Sequence, residues 1–238
     1  MTTLLRAVQD ATGLSRRKAF AAIREGHVML DGTVTTEPSS EYETGELWLD
    51  GTPLQVEGPP ARAYLMLNKP VGYITTASDE HGRRTVLDLI PGAMRASGLH
   101  AVGRLDLDTS GLLLLTNDGD LTYKLTHPSN EIEKEYWIAT LEPLDQEQFR
   151  QLRRGIELDK AVRRPVRLER LEAHEGGIFS LAMTIREGRN RQVRRMVDAV
   201  DARVTALRRV REGPLRLGSL PEGAVRPLTE SEVRALRA

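Results

Sequence analysis

The sequence predicts an α+β protein in two parts: a small α/β-hairpin module at residues 1–58 and a larger mixed-sheet domain at residues 62–238. Three observations predict this division. The chain opens on a helix–helix–hairpin pattern. The run Val56-Glu57-Gly58-Pro59-Pro60 can continue neither a helix nor a strand and reads as a linker. Beyond it, buried-strand patterns mix with short amphipathic helical ones.

Leu4, Leu5, Val8 and Ala11 fall at helical spacing, and Gly13 supplies a stop. Ser15 is suited to N-cap a second helix, whose Ala19, Phe20 and Ile23 are expected to face the core before Gly26 ends it. The segments HVML and TVTT flank Asp31-Gly32, a dipeptide suited to the positive φ angles of a tight hairpin turn, and a second Asp-Gly follows ELWL at Asp50-Gly51. In the larger domain, residues 64–68 (YLMLN) and 112–116 (LLLLT) read as buried strands. Residues 132–142 alternate enough for another, 145–154 suit a helix ended by Gly155, and 179–185 form a strand. An arginine-rich segment follows, with Val193, Met196, Val197 and Val200 as a helical apolar stripe. No internal repeat or low-complexity tract is present.

The composition is that of a globular protein: 39% hydrophobic and 29% charged residues in 238. No apolar run approaches the roughly 20 residues of a membrane span, and the opening lacks the layout of a secretory signal. Zero cysteines exclude disulfides, thiolate metal sites and cysteine nucleophiles, and the five histidines show no close metal-ligand spacing. Neither a phosphate-binding P-loop nor a G-x-G-x-x-G occurs. The expectation is a cytoplasmic, monomeric protein with no metal, no small-molecule cofactor and no membrane partner.

Lys plus Arg and Asp plus Glu each total 34, but the charges are not evenly spread. Residues 1–30 carry five cations against two acids, residues 31–60 seven acids and no cation, and residues 186–211 nine arginines against three acids. Two basic segments hidden in a neutral chain suit a polyanionic partner.

The most unusual local sequence is Gly103-Arg104-Leu105-Asp106-Leu107-Asp108-Thr109-Ser110-Gly111, ahead of four leucines. Turn formers directly before a buried strand can hold polar side chains rigidly at a strand edge. A calcium loop would need a glutamate at its twelfth position, where Asn117 stands. An aspartic protease would need a second similar loop, and none exists. A metal-binding Asp-x-Asp of a sugar-nucleotide transferase survives on spacing alone, as does a turn whose aspartates merely cap local N–H groups.

The same run, extended through Leu-Leu-Leu-Leu-Thr-Asn-Asp-Gly, resembles the central motif of the pseudouridine synthases, in the branch containing RsuA and RluB. Leu67-Asn68-Lys69-Pro70-x-Gly72 resembles that domain's opening strand, Lys134-x-Tyr136 its tyrosine motif, and the run from Glu187 to Met196 its basic motif. Leu207-Arg208-Arg209-Val210-Arg211-x-Gly213-Pro214-Leu215, with Gly223 and Arg226-Pro227-Leu228-Thr229 after it, completes the match. Each piece alone is weak; five in the family's order are very specific. The N-terminal module resembles the S-four-like RNA-binding domain through Gly13-Leu14-Ser15-Arg16-Arg17-Lys18-Ala19, Glu25-Gly26-x-Val28 and the following x-Gly turn. It departs from that pattern in Asp31, where the turn usually has Asn, and in Gln9-Asp10, where a basic residue is common.

The resemblance implies isomerisation of a specific uridine in ribosomal RNA, free or in an assembly intermediate, by an aspartate without metal or organic cofactor. The C1′–N1 bond breaks, the base turns, and C1′ joins C5, with no redox change. Asp106 is implied as the carboxylate, acting either as nucleophile or as the base that starts elimination at the sugar. A buried carboxylate needs a partner charge to stay ionised, and Arg194 is implied as that partner. Tyr136 is implied to stack on the target base. Arg104 matches a position whose side chain can fill the space left by a base taken out of its stack. Arg16, Arg17, Lys18, Arg189, Arg191 and Arg195 are the expected RNA-contacting cations. The rival reading is a non-catalytic RNA-binding ribosome-assembly factor on the same fold, which would have no need of Asp106, Tyr136 and Arg194 together.

Overall fold

The computed structural model describes residues 2–55, 61–76, 79, 81–174 and 178–238; the expected linker at 56–60 lies outside them. The chain forms two compact units, Met1–Ala63 with Arg95–Leu99, and Tyr64–Met94 with His100–Ala238.

In the first unit, helix α1 (Leu4–Thr12) starts where the Thr3 hydroxyl accepts the Arg6 N–H and stops at Gly13, left-handed at φ 70°. Helix α2 (Arg16–Arg24) starts at Ser15, whose hydroxyl accepts the Lys18 N–H. Leu4, Leu5, Ala7 and Val8 of α1 and Ala19 and Ile23 of α2 pack with Val28, Tyr42 and Leu47 into one core. Phe20 departs from expectation, because it lies exposed. Ala19 and Ile23 are four residues apart and share one narrow stripe, whereas Phe20 stands about 100° round the helix from Ala19. Strands β1 (Val28–Leu30), β2 (Thr33–Val34), β3 (Leu47–Leu49) and β4 (Thr52–Leu54) form an antiparallel sheet in the order β2-β1-β3-β4. Both Asp-Gly pairs make its tight turns, with Asp31 at φ 49° and Asp50 at φ 48°. Asp31 also accepts the Glu46 N–H at 2.8 Å.

The second unit is built on a large mixed sheet. Its main strands are β5 (Tyr64–Lys69), β6 (Ser110–Thr116), β7 (Lys134–Thr140), β8 (Arg167–His174), β9 (Phe179–Ile185), β10 (Val204–Glu212) and β11 (Val225–Pro227), in the order β8-β9-β7-β10-β6-β5-β11. All neighbouring strands are antiparallel except β10 and β6, which run parallel. Every residue of β6 is buried, as a leucine run with both faces covered requires. Leu112 and Leu114 point into a cluster with Met66, Leu121, Leu125 and Leu236. Leu121 and Leu125 come from α3 (Gly119–Thr126), capped by Asp118, and Leu236 from α6 (Glu230–Arg237). Helix α4 (Gln146–Arg154) opens on a reciprocal Asp145–Gln148 cap. Helix α5 (Gln192–Asp198) buries Val193, Met196 and Val197, and Val200 just beyond it is buried too.

Two backbone features shape the middle of the sheet. At Gly111, φ 106°, β6 meets the Arg209 backbone so closely that any Cβ would collide with the Arg209 carbonyl oxygen. In β10, Glu135 pairs with Arg211 but Tyr136 with Arg209. Val210 is therefore the extra residue of a β-bulge, and the strand's two faces exchange there.

Candidate active site

The residues between the strand His100–Ala101 and β6 form a loop that carries Asp106, and its shape is set from beneath by Lys69. The last residue of β5, Lys69 is fully buried and donates to the carbonyls of Pro70 (3.0 Å), Asp106 (3.1 Å) and Thr109 (2.9 Å). The Gly72 N–H donates to the Leu107 carbonyl at 2.9 Å, and the Thr75 hydroxyl donates to the Leu105 carbonyl at 2.8 Å. The loop is held by its backbone, so the Asp106 carboxylate, about one-third exposed, is free to face outward.

Burial lowers the Lys69 ammonium from the ordinary 10.5 to about 8, against the opposing pull of the Asp106 and Asp108 charges. Between those two pH values the unfolded chain binds the proton more tightly than the folded one. The stability tied to Lys69 therefore rises with pH from about 8 to 10.5, by about 3 kcal/mol in all. Urea unfolding across that range is expected to show the protein gaining on a Lys69→Met variant; parallel pH profiles would refute the buried-ammonium assignment.

Asp106 stands at a cavity of about 390 Å³, which Arg104, Lys134, Tyr136, Arg189 and Arg209 also line. Tyr136 comes from β7, opposite Arg209 of β10. Burial pushes its phenol up, opposed by the Arg209 charge, so it is protonated near neutral pH. Below it, Arg209 and Glu212 form a buried ion pair at 3.1 Å, both almost fully enclosed. They are three residues apart in one strand and share a face because of the Val210 bulge. Arg209 also donates from Nε to the Leu112 carbonyl at 2.8 Å, a carbonyl just beyond the two-residue parallel pairing of β6 with β10. Lys134, lowered by burial, donates to the Ile132 carbonyl. Arg104 is exposed.

The basic segment closes the other side, with pairings that differ from expectation. Arg194 does not pair with Asp106. It is buried, donates from a terminal nitrogen to the Asp108 carbonyl at 2.7 Å, and holds Nε 3.4 Å from the Asp108 carboxylate. The cation beside Asp106 is Arg191, 3.8 Å from Oδ2, which also grips the Asp108 carboxylate at 2.9 and 3.0 Å. That grip, led by the Arg191 hydrogen bonds, lowers the Asp108 carboxyl below the usual range. Arg191 sits left-handed at φ 47° where α5 begins, a backbone strain of order 1–3 kcal/mol that functional sites often hold. This turn points its side chain back across the Asp106 loop, while the helix carries Arg194 one turn deeper. Arg189 pairs with Glu187 at 3.1 Å, and Arg195 with Asp159 at 2.7 Å. Arg16, Arg17 and Lys18 belong to the first unit, exposed on the first turn of α2.

Sequence reasoning gave no role to Lys69, Arg209 or Glu212. The one available signal was a lysine ending a buried strand, since Arg209 and Glu212 stand at an odd spacing that regular alternation places on opposite faces. The arrangement presents one carboxylate beside a guanidinium, over a tyrosine-floored cavity. Such a site can act on a sugar carbon or its proton while a planar base lies against the ring. Among the described residues no cluster of three or more His, Cys, Asp or Glu is placed to hold a metal ion, and no helix is long and apolar enough to cross a membrane.

A sequence model of the RNA pseudouridylate synthase family matches residues 63–199. The chain is 39% identical over 240 residues to ribosomal large subunit pseudouridine synthase B of Bacillus subtilis (strain 168), covering all of this chain and 96% of that one. It is 38% identical to the protein of that name in Yersinia pestis, covering 93% of this chain and 70% of that one. A crystal structure described as a pseudouridylate synthase superposes with a TM-score of 0.68 at 32% identity, over 99% of this chain and all of the other.

Proposed function

Because the chain belongs to the RNA pseudouridylate synthase family, we propose that it converts a uridine of large-subunit ribosomal RNA to pseudouridine, with Asp106 as the carboxylate that acts at the sugar. The observation that carries the residue assignment is the position of Asp106: a carboxylate on a loop locked from below by Lys69, at the edge of a cavity with a buried tyrosine. The large-subunit assignment rests on the names of the relatives.

In this reading the uridine leaves its stack and lies with its base against Tyr136. Arg191 stands with its guanidinium 3.8 Å from the Asp106 carboxylate, and Arg194 fixes the loop through the Asp108 carbonyl and carboxylate. Asp106 attacks C1′ or removes a proton beside it, and the C1′–N1 bond breaks. The freed base turns over the phenol and bonds C1′ through C5 as the Asp106–C1′ bond breaks on the first route, or as Asp106 returns the proton it took on the second, and the C5 proton is lost as N1 gains one. Arg104, exposed at the rim, occupies the gap left in the RNA. The test is release of tritium from C5-labelled uridine in large-subunit rRNA transcripts. Release with formation of pseudouridine at a defined position is expected; RNA binding without any release would favour the non-catalytic assembly factor.

The first unit supplies RNA affinity in the same reading, as an S-four-like module. Arg16, Arg17 and Lys18 are exposed at a helix start, where the helix dipole favours acids instead, and phosphate contact offsets that local penalty. Three of the seven acids in residues 31–60 are engaged locally: Asp31 with the Glu46 N–H, Glu37 with Ser39, and Asp50 with His27. Arg16→Ala with Arg17→Ala is expected to weaken rRNA binding several-fold and to flatten the dependence of log affinity on log salt by about 1–2. An unchanged slope would make this cluster a solvated face only.

A further inference from the structure

The arginines of the basic motif are committed within the fold: Arg189 to Glu187, Arg191 to Asp108, Arg195 to Asp159. A phosphate reaching any of them must displace a carboxylate. Uncommitted cations stand on the neighbouring element. Arg153 and Arg154 end α4, Lys160 occupies the tip of the hairpin formed by Ile156–Leu158 and Ala161–Arg163, and Arg164 follows it. All four are exposed and make no ion pair among the described residues.

We infer that Arg153, Arg154, Lys160 and Arg164 form a second phosphate-binding surface, which takes the RNA backbone flanking the target uridine. The inference rests on the reading that the substrate is rRNA. Packing sets Arg164 beside the end of α4, and Lys160 stands at the tip of the same short hairpin. Gly155, between Arg154 and the hairpin, lets the Arg164 stem lie against its Cα, where a Cβ would collide with Arg164 and Val162. Two ion pairs then fix this surface to the catalytic cavity. Arg163, opposite Ile156 in the hairpin, reaches Glu187 of the cavity wall at 3.1 Å. Arg195 of α5 grips Asp159, which with Lys160 forms a left-handed tip at φ 54° and 62°. That backbone, held by Arg195, turns Lys160 outward. Val162 and Val166, both exposed, alternate with Arg164, so apolar contact for ribose or base edges interleaves with charge. Glu157 and Asp159 are the exposed acids of the hairpin, and Asp159 is held by Arg195. The helix dipole alone accounts for basic residues at the end of α4 but not for Lys160 or Arg164, which lie outside the helix.

The test is binding of the full chain to large-subunit rRNA transcripts at several salt concentrations, with all four residues changed to alanine. The expected loss is at least tenfold in affinity near physiological salt. The salt slope is expected to fall by about 3, from ~0.7–0.9 per phosphate contact. Arg153→Lys, Arg154→Lys and Arg164→Lys together are expected to keep the slope, because charge is what the surface supplies. An unchanged slope in the alanine variant would overturn the proposal, as would loss of the slope in the lysine variant. Loss of binding to ribosomal particles but not to naked transcript would also overturn it, pointing to a protein partner. The readout needs no turnover, so a protein that makes no pseudouridine would defeat the functional reading and still leave this surface decided.

Discussion

Asp106→Asn is expected to reduce pseudouridine formation by about a thousandfold or more, with RNA affinity and thermal stability close to those of the unaltered protein. The carboxamide has the shape of the carboxylate but can neither attack C1′ nor take up a proton there, and groups in that position contribute about 10²–10⁴ to rate. The fold has little reason to respond. The bonds that position the loop run from Lys69, Gly72 and Thr75 to main-chain carbonyls, not to the Asp106 side chain. Asp108→Asn is the informative contrast. It weakens a paired grip by Arg191 and a contact with Arg194, so a partial loss is expected. Tritium release in single-turnover conditions separates the two. Substantial product from Asp106→Asn would remove Asp106 from its role, and total loss confined to Asp108→Asn would transfer that role to Asp108.

Breaking the Arg209–Glu212 pair is expected to have the largest effect on stability. Arg209→Met leaves the Glu212 carboxylate buried without its partner, and Glu212→Leu does the same to the guanidinium. Each is expected to destabilise the protein by about 3–5 kcal/mol. Changing both together removes the two charges at once and is expected to recover much of that loss, because packed apolar groups replace a pair whose desolvation opposed its attraction. Arg209 also serves the Leu112 carbonyl, so recovery is expected to be incomplete by about 1–3 kcal/mol, the penalty of an unsatisfied buried acceptor. Urea denaturation of the four proteins measures the cycle. Single losses below about 1 kcal/mol would show that the two charges do not depend on each other.

Much of this was legible in the sequence because it is written in local patterns. Gly13, Ser15 and the two Asp-Gly turns act through the backbone conformations they permit, so the helices and hairpins of the first unit follow directly. The leucine run ahead of Thr116 reads as a strand buried on both faces, and it is one. Order along the chain brings Asp106, Tyr136 and the arginine segment under one family pattern. Three-dimensional partners are another matter. Arg194 and Arg191 differ by less than one helical turn, and which of them reaches Asp106 depends on the left-handed Arg191 at the start of α5. Glu212 was hidden because one unpaired residue at Val210 reverses the alternation that strand reading assumes. Phe20 was expected to share a face with Ala19 and Ile23; it stands on the edge of that face, about 100° from Ala19, and the structure leaves it exposed.

The parallel contact of β6 with β10 also governs when the site comes into being. Arg209 and Leu112 lie 97 residues apart in sequence, and between them run the tyrosine strand, α4, the hairpin and the whole arginine segment. Closing so long a loop is slow relative to hairpin formation, since its entropy is lost before the strand contacts repay it. The antiparallel partners β8, β9 and β7 pair without it, as do β5 and β6. During refolding, secondary structure and much of the hydrophobic burial are therefore expected to precede the docking of the two halves across Gly111. A stage with most of the sheet assembled and no cavity beside Asp106 is the expected result, and recovery of activity is expected to lag the return of the far-UV circular dichroism signal.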